Sequence, residues 1–323
     1  MEAKTSSFTF EGKGSELFVI ILKNFFLTIV TFGIYHFWAK INTQQFFHRN
    51  TRFMDQTLEF HGTGKEKFIG FLKGAAIVVV FVILMQLLRL GLGKLISPDI
   101  AQIIVGIILY FAVLLIAPLV LVGKRRYLLS RTSWRNVRFL FGARSRHFLF
   151  FTIKNVLLII ITLGIYTPWY IVKFRRFFIE NSYFGTEKFE FSGKGGDYAM
   201  LCLKGILLTF VTFGIYYYWF WAASERFFWN NTSFQGKKFS STIGGDTLFL
   251  TWLINYFTVI FTLGIAIPWA QVRLTKAMIN AISVEDGIDF AAIKADFDKS
   301  ASAFADGLTD AFDALDSISD LVV

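Results

Sequence analysis

A five-residue string that returns at a fixed step constrains this chain more than any other feature. Thr-Phe-Gly-Ile-Tyr at 31–35 recurs as Thr-Leu-Gly-Ile-Tyr at 162–166, Thr-Phe-Gly-Ile-Tyr at 212–216 and Thr-Leu-Gly-Ile-Ala at 262–266. The last three are 50 residues apart, and Trp169, Trp219 and Trp269 keep the same step. Trp38 precedes Trp169 by 131 residues, which is 50 plus 81, so a longer copy lies between them. A second marker finds it: Phe8-Thr-Phe10-Glu-Gly12-Lys-Gly14 matches Leu58-Glu-Phe60-His-Gly62-Thr-Gly64. Phe139-Leu-Phe141, Phe189-Glu-Phe191 and Phe239-Ser-Ser241 continue the series. Five copies result, at 8–57, 58–138, 139–188, 189–238 and 239–290; the second spans 81 residues rather than 50. A short unit that cannot bury its apolar face alone must bury it against neighbouring copies.

Each copy has three parts. A short alternating stretch ends in glycines, a long apolar stretch follows, and a mixed aromatic and basic stretch closes it, as in PWYIVKFRRFFIEN at 168–181. Copies are joined by alternating residues around a polar turn, such as Asn50-Thr-Arg-Phe53, MDQT and Leu58-Glu-Phe60. That pattern predicts β-hairpins, and Gly12, Gly62 and Gly193 suit a sharp exit from the strand. The apolar stretch predicts a helix, with Glu16, Glu66 or Asp197 in its first turn, where exposed backbone N–H groups favour negative charge.

Apolar residues make up 54% of the chain, charged residues only 17%, and Phe occurs 40 times. One aqueous core cannot hide so many large side chains, whereas a bilayer replaces water around the outer surface. The expected fold class is therefore a mainly α-helical membrane protein, with about six hydrophobic helices in five repeats linked by short β-hairpins. The clearest spans are 74–88 and 103–122 in copy two; the others are 17–39, 148–172, 198–222 and 248–272. Gly33, Gly164 with Pro168, Gly214, and Gly264 with Pro268 predict a break in each of the latter four. Two topologies follow. Either each run crosses once, giving six spans, or the Gly-Ile-Tyr element turns the chain back and all linkers share one side. Six hydrophobic helices with the basic linkers mostly cytoplasmic are expected, and the residues leave the two topologies open.

Charge is unevenly placed. The net +10 divides into −8 for residues 285–323, with ten acids and two bases, and +18 for the rest. A basic membrane body points to anionic lipid headgroups as partners. Nucleic acid is not expected, because the bases are dispersed through apolar sequence. Residues 291–323 read as a separate acidic tail, and Phe290, Ile293, Phe297, Phe304, Leu308, Phe312 and Leu315 give it an amphipathic helical pattern. Cys202, the only cysteine, sits among Met200, Leu201 and Leu203 and reads as a small core residue. No cleavable signal peptide is expected, since the first apolar run starts near Leu17 without a small-residue cleavage site.

FTFEGKGSELF at 8–18, TFGIYHFWAK at 31–40 and their later copies resemble the YjgN family of bacterial inner-membrane proteins, a domain of unknown function. The resemblance reaches to about residue 290, and GLTDAFDAL in the acidic end is similar to the family's tail. It implies a multipass protein of the bacterial inner membrane and brings no catalytic residues.

The residues themselves supply no enzyme constellation. HExxH, P-loop and nucleophile-elbow patterns are missing, and His36, His48, His61 and His147 lack metal-ligand spacing. No enzyme activity, cofactor or metal is expected. The sharper candidates are Lys23, Lys73, Lys154 and Lys204, which share one register seven residues after Glu16, Glu66, His147 and Asp197. Ionisable groups within apolar helices are either functional or snorkel to the headgroups. In the functional alternative they face an interior cavity and bind an anion. Trp38, Trp169, Arg175, Arg176, Trp219 and Trp269 carry an interfacial signature and are candidates for lipid contact. The function expected is binding or movement of an anionic or amphipathic small molecule or lipid. The alternative is a membrane scaffold or regulator that docks partners through its basic hairpins and acidic tail.

Overall fold

The computed structural model describes residues 5–290 together with Ile293, so the acidic tail expected beyond 290 lies almost wholly outside the described residues. Copy one comprises strand β1 (Thr5–Phe10), helix α1 (Gly14–Val30), helix α2 (His36–Arg49) and strand β2 (Thr51–Phe53). After β3 (Gln56–Thr57), which ends copy one, copy two follows with β4 (Glu59–Phe60), α3 (Gly64–Leu95), α4 (Pro98–Ser130) and β5 (Thr132–Trp134). Copy three holds β6 (Val137–Phe141), α5 (Ser145–Ile161), α6 (Thr167–Glu180) and β7 (Ser182–Phe184). Copy four holds β8 (Glu187–Phe191), α7 (Gly195–Val211), α8 (Tyr217–Asn230) and β9 (Thr232–Phe234). Copy five holds β10 (Lys237–Ser241), α9 (Gly245–Phe261), α10 (Ile267–Asn280) and β11 (Ile282–Glu285).

The hairpins do not stand alone. All eleven strands form one antiparallel sheet, ordered β3-β2-β1-β11-β10-β9-β8-β7-β6-β5-β4. Its two ends, β3 and β4, are separated only by Leu58, whose N–H donates to the Thr51 carbonyl at 3.0 Å. The stretch 56–60 thus pairs with β2 on one side and β5 on the other, and the sheet curls into a barrel. Pairing of β1 with β11 joins the first copy to the last. One backbone bond recurs at every junction, 2.8–2.9 Å long: Glu11 to Asn50, His61 to Arg131, Gly142 to Asn181, Ser192 to Asn231 and Thr242 to Ala281, each N–H to carbonyl. Three of the turns, Met54-Asp55, Arg135-Asn136 and Gln235-Gly236, have positive φ at both residues. That conformation matches the twist of two-residue hairpins.

Register decides what fills the barrel. Phe8 lies opposite Phe53, Phe139 opposite Phe184, Phe189 opposite Phe234, and Phe239 opposite Val284. Their side chains point inward, with ring centroids 4.4, 4.8 and 4.7 Å apart in the three aromatic pairs. Such cross-strand aromatic pairs contribute about 0.5–1.5 kcal/mol each beyond area burial. At the hairpin-turn end the chain folds back after Gly287, and Phe290 packs against Phe53 and Trp134 while Ile293 enters the same core.

The number of helices corrects the sequence reading. Among the described residues ten are present rather than about six, because four of the apolar runs turn back instead of continuing. The recurrent Thr-Phe/Leu-Gly string is the turn. Phe32, Leu163, Phe213 and Leu263 adopt φ of 48–52°, and Gly33, Gly164, Gly214 and Gly264 adopt 89–93°. Each of these glycines donates its N–H to the carbonyl five residues back in the helix, as Gly164 does to Ile159 at 2.8 Å, closing a Schellman-type cap. The threonine ties both helices together: Thr162 Oγ1 donates to the Leu158 carbonyl at 2.7 Å and accepts from the Tyr166 N–H at 3.1 Å. Thr31, Thr212 and Thr262 repeat both bonds. Thr162→Val should therefore lower the thermal midpoint in detergent by an amount equivalent to about 1–3 kcal/mol, and Thr162→Ser should restore it. Equal midpoints for the valine variant and the parent would show that the cap adds nothing.

Ten helices stand in a ring above the barrel, neighbour against neighbour, closed by contact of α10 with α1. Two devices hold them. Asn24, Asn155 and Asn255 clasp the two arms of their hairpins: Asn42 Nδ2 donates to Asn24 Oδ1 at 2.9 Å, Tyr166 Oη to Asn155 Oδ1 at 3.2 Å, and Arg273 Nη1 to Asn255 Oδ1 at 2.6 Å. In copy four Gly205 takes that position and the Phe220 ring fills the space. Between copies, the glycine that opens each first helix meets the tryptophan of the preceding copy. Gly64 faces Trp38, Gly195 faces Trp169, Gly245 faces Trp219, and Gly14 faces Trp269 across the closure. Copy three opens with Ser145 instead, and in the same register copy two has Leu119 instead of tryptophan.

Candidate functional site

The interior of the barrel is not fully packed. A chamber of about 400 Å³ lies between the sheet and the second helices of the copies. That size falls within the range of about 300–1,000 Å³ typical of small-molecule sites. Its walls are the two inward rows of the sheet, Phe8, Leu58, Phe139, Phe189 and Phe239 in one and Phe53, Trp134, Phe184, Phe234 and Val284 in the other. Ile288 and Phe290 line it at the hairpin-turn end. Leu129, Ile179 and Trp229, again 50 residues apart, descend from the helices. The corresponding residue of copy one is His48. Its Nδ1 lies 2.8 Å from the Gln44 carbonyl and its Nε2 3.3 Å from the Thr132 hydroxyl. Burial pushes the His48 imidazole below its ordinary range, partly opposed by the bond to Gln44.

Among the described residues that line the chamber, charge enters from the helical side. Arg125, Arg175 and Glu225 occupy one register on α4, α6 and α8 and line the chamber together. Their formal sum is +1. The Arg175 guanidinium lies 4.8 Å from the Phe228 ring centroid, a cation–π distance. Arg125 Nε is buried without a hydrogen-bond partner. An apolar cavity with a few convergent polar groups at one end is the usual form of a ligand site.

The adjacent register does a different job. Arg126, Arg176 and Arg226 donate to the carbonyls of Ala143, Gly193 and Ile243, the turn that leads into the next copy's first helix. Of the two arginines singled out by sequence, Arg175 therefore lines the chamber and Arg176 braces the fold. Arg125 and Glu225 were not among the candidate site residues, although each stands 50 residues from Arg175. The 50-residue step itself was the signal that could have found them.

Lys23, Lys73, Lys154 and Lys204 are all exposed, and none lines the chamber. Each precedes the clasp position, where Asn24 and Asn155 turn inward and are buried, so the lysines occupy the outward side of the same turn. Trp38, Trp169, Trp219 and Trp269 are half-buried and packed against the helix-opening glycines of neighbouring copies. The chamber and the outer lysines thus form two separate features.

Comparison with protein families matches residues 5–192, 186–240 and 228–311 to the family described as "Bacterial protein of unknown function (DUF898)". The chain belongs to the DUF898 family. Among curated proteins, this DUF898 chain is similar to "Inner membrane protein YjgN" of Salmonella typhimurium (strain LT2). The two are 28% identical over 156 residues, which cover 48% of this chain and 36% of that protein. Similarity to "Inner membrane protein YjgN" of Escherichia coli (strain K12) is 28% over 164 residues, covering 51% of this chain and 38% of that protein. The alignments thus span little more than a third of the length of these curated relatives. No solved structure matches the chain. The names of the relatives place them in the inner membrane, the compartment expected here from sequence. In this DUF898 chain, α3 and α4 are long and apolar enough to cross a membrane.

Proposed function

We propose that this inner-membrane DUF898 protein has a non-catalytic role, in which its chamber binds an amphipathic anion. The apolar body of the ligand lies between the aromatic rows of the barrel, and its carboxylate or phosphate meets Arg125 and Arg175. The observation that carries this reading is the single-ended charge of the chamber: aromatic walls below and two guanidinium groups above, with only Glu225 opposing them. A charge-assisted hydrogen bond in a low-dielectric site is worth about 1.5–3 kcal/mol. Anionic lipids are the partners that fit, and Lys23, Lys73, Lys154 and Lys204, exposed on the first helices, are placed to meet their headgroups.

The test is binding of palmitate and of the neutral alcohol of the same chain to the detergent-solubilised protein, followed by native mass spectrometry. Palmitate should bind saturably and more tightly than the alcohol. Arg125→Met with Arg175→Met should weaken palmitate by about 10–100-fold, the factor expected from one lost charge-assisted bond, and leave the alcohol unchanged. Equal binding of both ligands by parent and variant would remove the anion from the reading. No saturable binding of either would remove the chamber.

A further inference from the structure

We infer that four of the five helical hairpins end inside the leaflet nearest the barrel, and that only α3–α4 crosses the bilayer. The inference rests on the membrane reading above and says how the membrane is met. The first observation is exposure at the tips. Phe32, Leu163, Phe213 and Leu263 are 98, 92, 97 and 93% exposed, and each sits at the turn between an apolar first arm and an aromatic and basic second arm. Large apolar residues held out this far, at the same end of four copies, mark a contact with lipid. All the strands gather at the opposite end, so the four tips point to one side of the barrel.

Depth follows from charge spacing. The 18 residues 155–172, between Lys154 and Lys173, carry no charge, enough for one complete span of about 27 Å if they ran straight. They do not run straight, because the chain turns back at Gly164. Phe32 lies nine residues beyond Lys23, as Leu163 does beyond Lys154 and Phe213 beyond Lys204, a rise of about 13 Å. That is close to half of a hydrocarbon core of about 30 Å. With the exposed lysines at the headgroups, the tips reach the middle of the bilayer. In copy two the insertion lengthens both helices. Residues 103–123 of α4 are 21 uncharged residues, about 31 Å of helix, and the far turn carries Lys94, Ser97 and Asp99 beside the exposed Leu95 and Ile96, where the other tips carry no charge. The basic strand-bearing side, with eight Lys and Arg residues in 124–146, belongs in the cytoplasm by the positive-inside bias.

The experiment uses the full chain with Cys202→Ala and one new cysteine at a time: Phe213→Cys, Leu163→Cys or Ser97→Cys. A membrane-impermeant maleimide is added to intact spheroplasts and to inverted vesicles. The far-turn variant should react from outside. The two tip variants should react from neither face, at rates at least about ten times lower, because a tip in hydrocarbon has no water to carry the reagent. After reconstitution in vesicles of phosphatidylethanolamine and phosphatidylglycerol, a bimane at either tip should be quenched most by lipids brominated deep in their chains. Reaction of the tips from either face, or protection of the far turn from outside, overturns the inference while leaving a membrane protein. Release of the unmodified chain from membranes by carbonate would defeat the membrane reading instead.

Discussion

Gly245→Val is expected to sharply reduce the yield of folded protein and the unfolding temperature of what remains. A Cβ at this position would lie 2.4 Å from Cγ of Trp219 and 2.6 Å from the Cα of the same residue. Rotating the indole cannot relieve the second contact, since it involves backbone. Overpacking of this kind costs about 1–3 kcal/mol, and here it also pushes apart two copies whose spacing sets the closure of the whole ring. The protein itself indicates the compensation. At the junction of copies two and three the corresponding residues are Leu119 and Ser145, the only register where neither tryptophan nor glycine is kept. Gly245→Ser should be destabilising alone, and Gly245→Ser with Trp219→Leu should recover most of the loss in thermal unfolding by detergent-compatible fluorimetry. A double variant no better than the sum of its single changes would show that the two positions are not coupled.

Phe234→Ala should cost about 3–5 kcal/mol, the usual range for deleting a buried aromatic ring. Phe234 is 3% exposed, with ring centroids 4.7 Å from Phe189 and 6.2 Å from Phe184, so its removal opens the wall of the chamber on two sides. Phe213→Ala removes the same atoms from a site that is 97% exposed and should leave unfolding in detergent unchanged. Denaturant titration of both variants in one mild detergent compares them directly. Equal losses would mean that the barrel interior is not the stabilising core. A loss confined to Phe213→Ala would mean that the hairpin tips pack against protein.

The local units were legible from residue pattern. Phe8-Thr-Phe10 and its copies alternate as strands must, and the turns between copies fall where the sequence placed them. The break at Gly33, Gly164, Gly214 and Gly264 was also visible, because a Schellman-type cap is written in a few consecutive residues. What the break does was not visible. A kink and a reversal have the same glycine. The reversal goes with Thr31 and its copies bridging two helix ends and, in copies one, three and five, with an asparagine that bonds beyond the turn. The candidate site was half legible for a similar reason. Arg175 stood out beside Trp169, but its neighbour Arg176 looked the same in sequence, and one helical step separates a residue that lines a chamber from one that braces a turn.

By itself the sequence determined the repeat, its hairpins, its apolar helices and its family, since each is carried by spacing along one stretch of chain. Only the tertiary structure decided that the hairpins close into one barrel and that the first copy pairs with the last. It alone showed that tryptophans read as lipid anchors are wedged against the glycines of the next copy. It also showed that lysines considered for an interior cavity lie on the outside. These are facts of long-range register: β1 and β11 are brought together from opposite ends of the chain, and which face of a helix is interior depends on copies that no local pattern names.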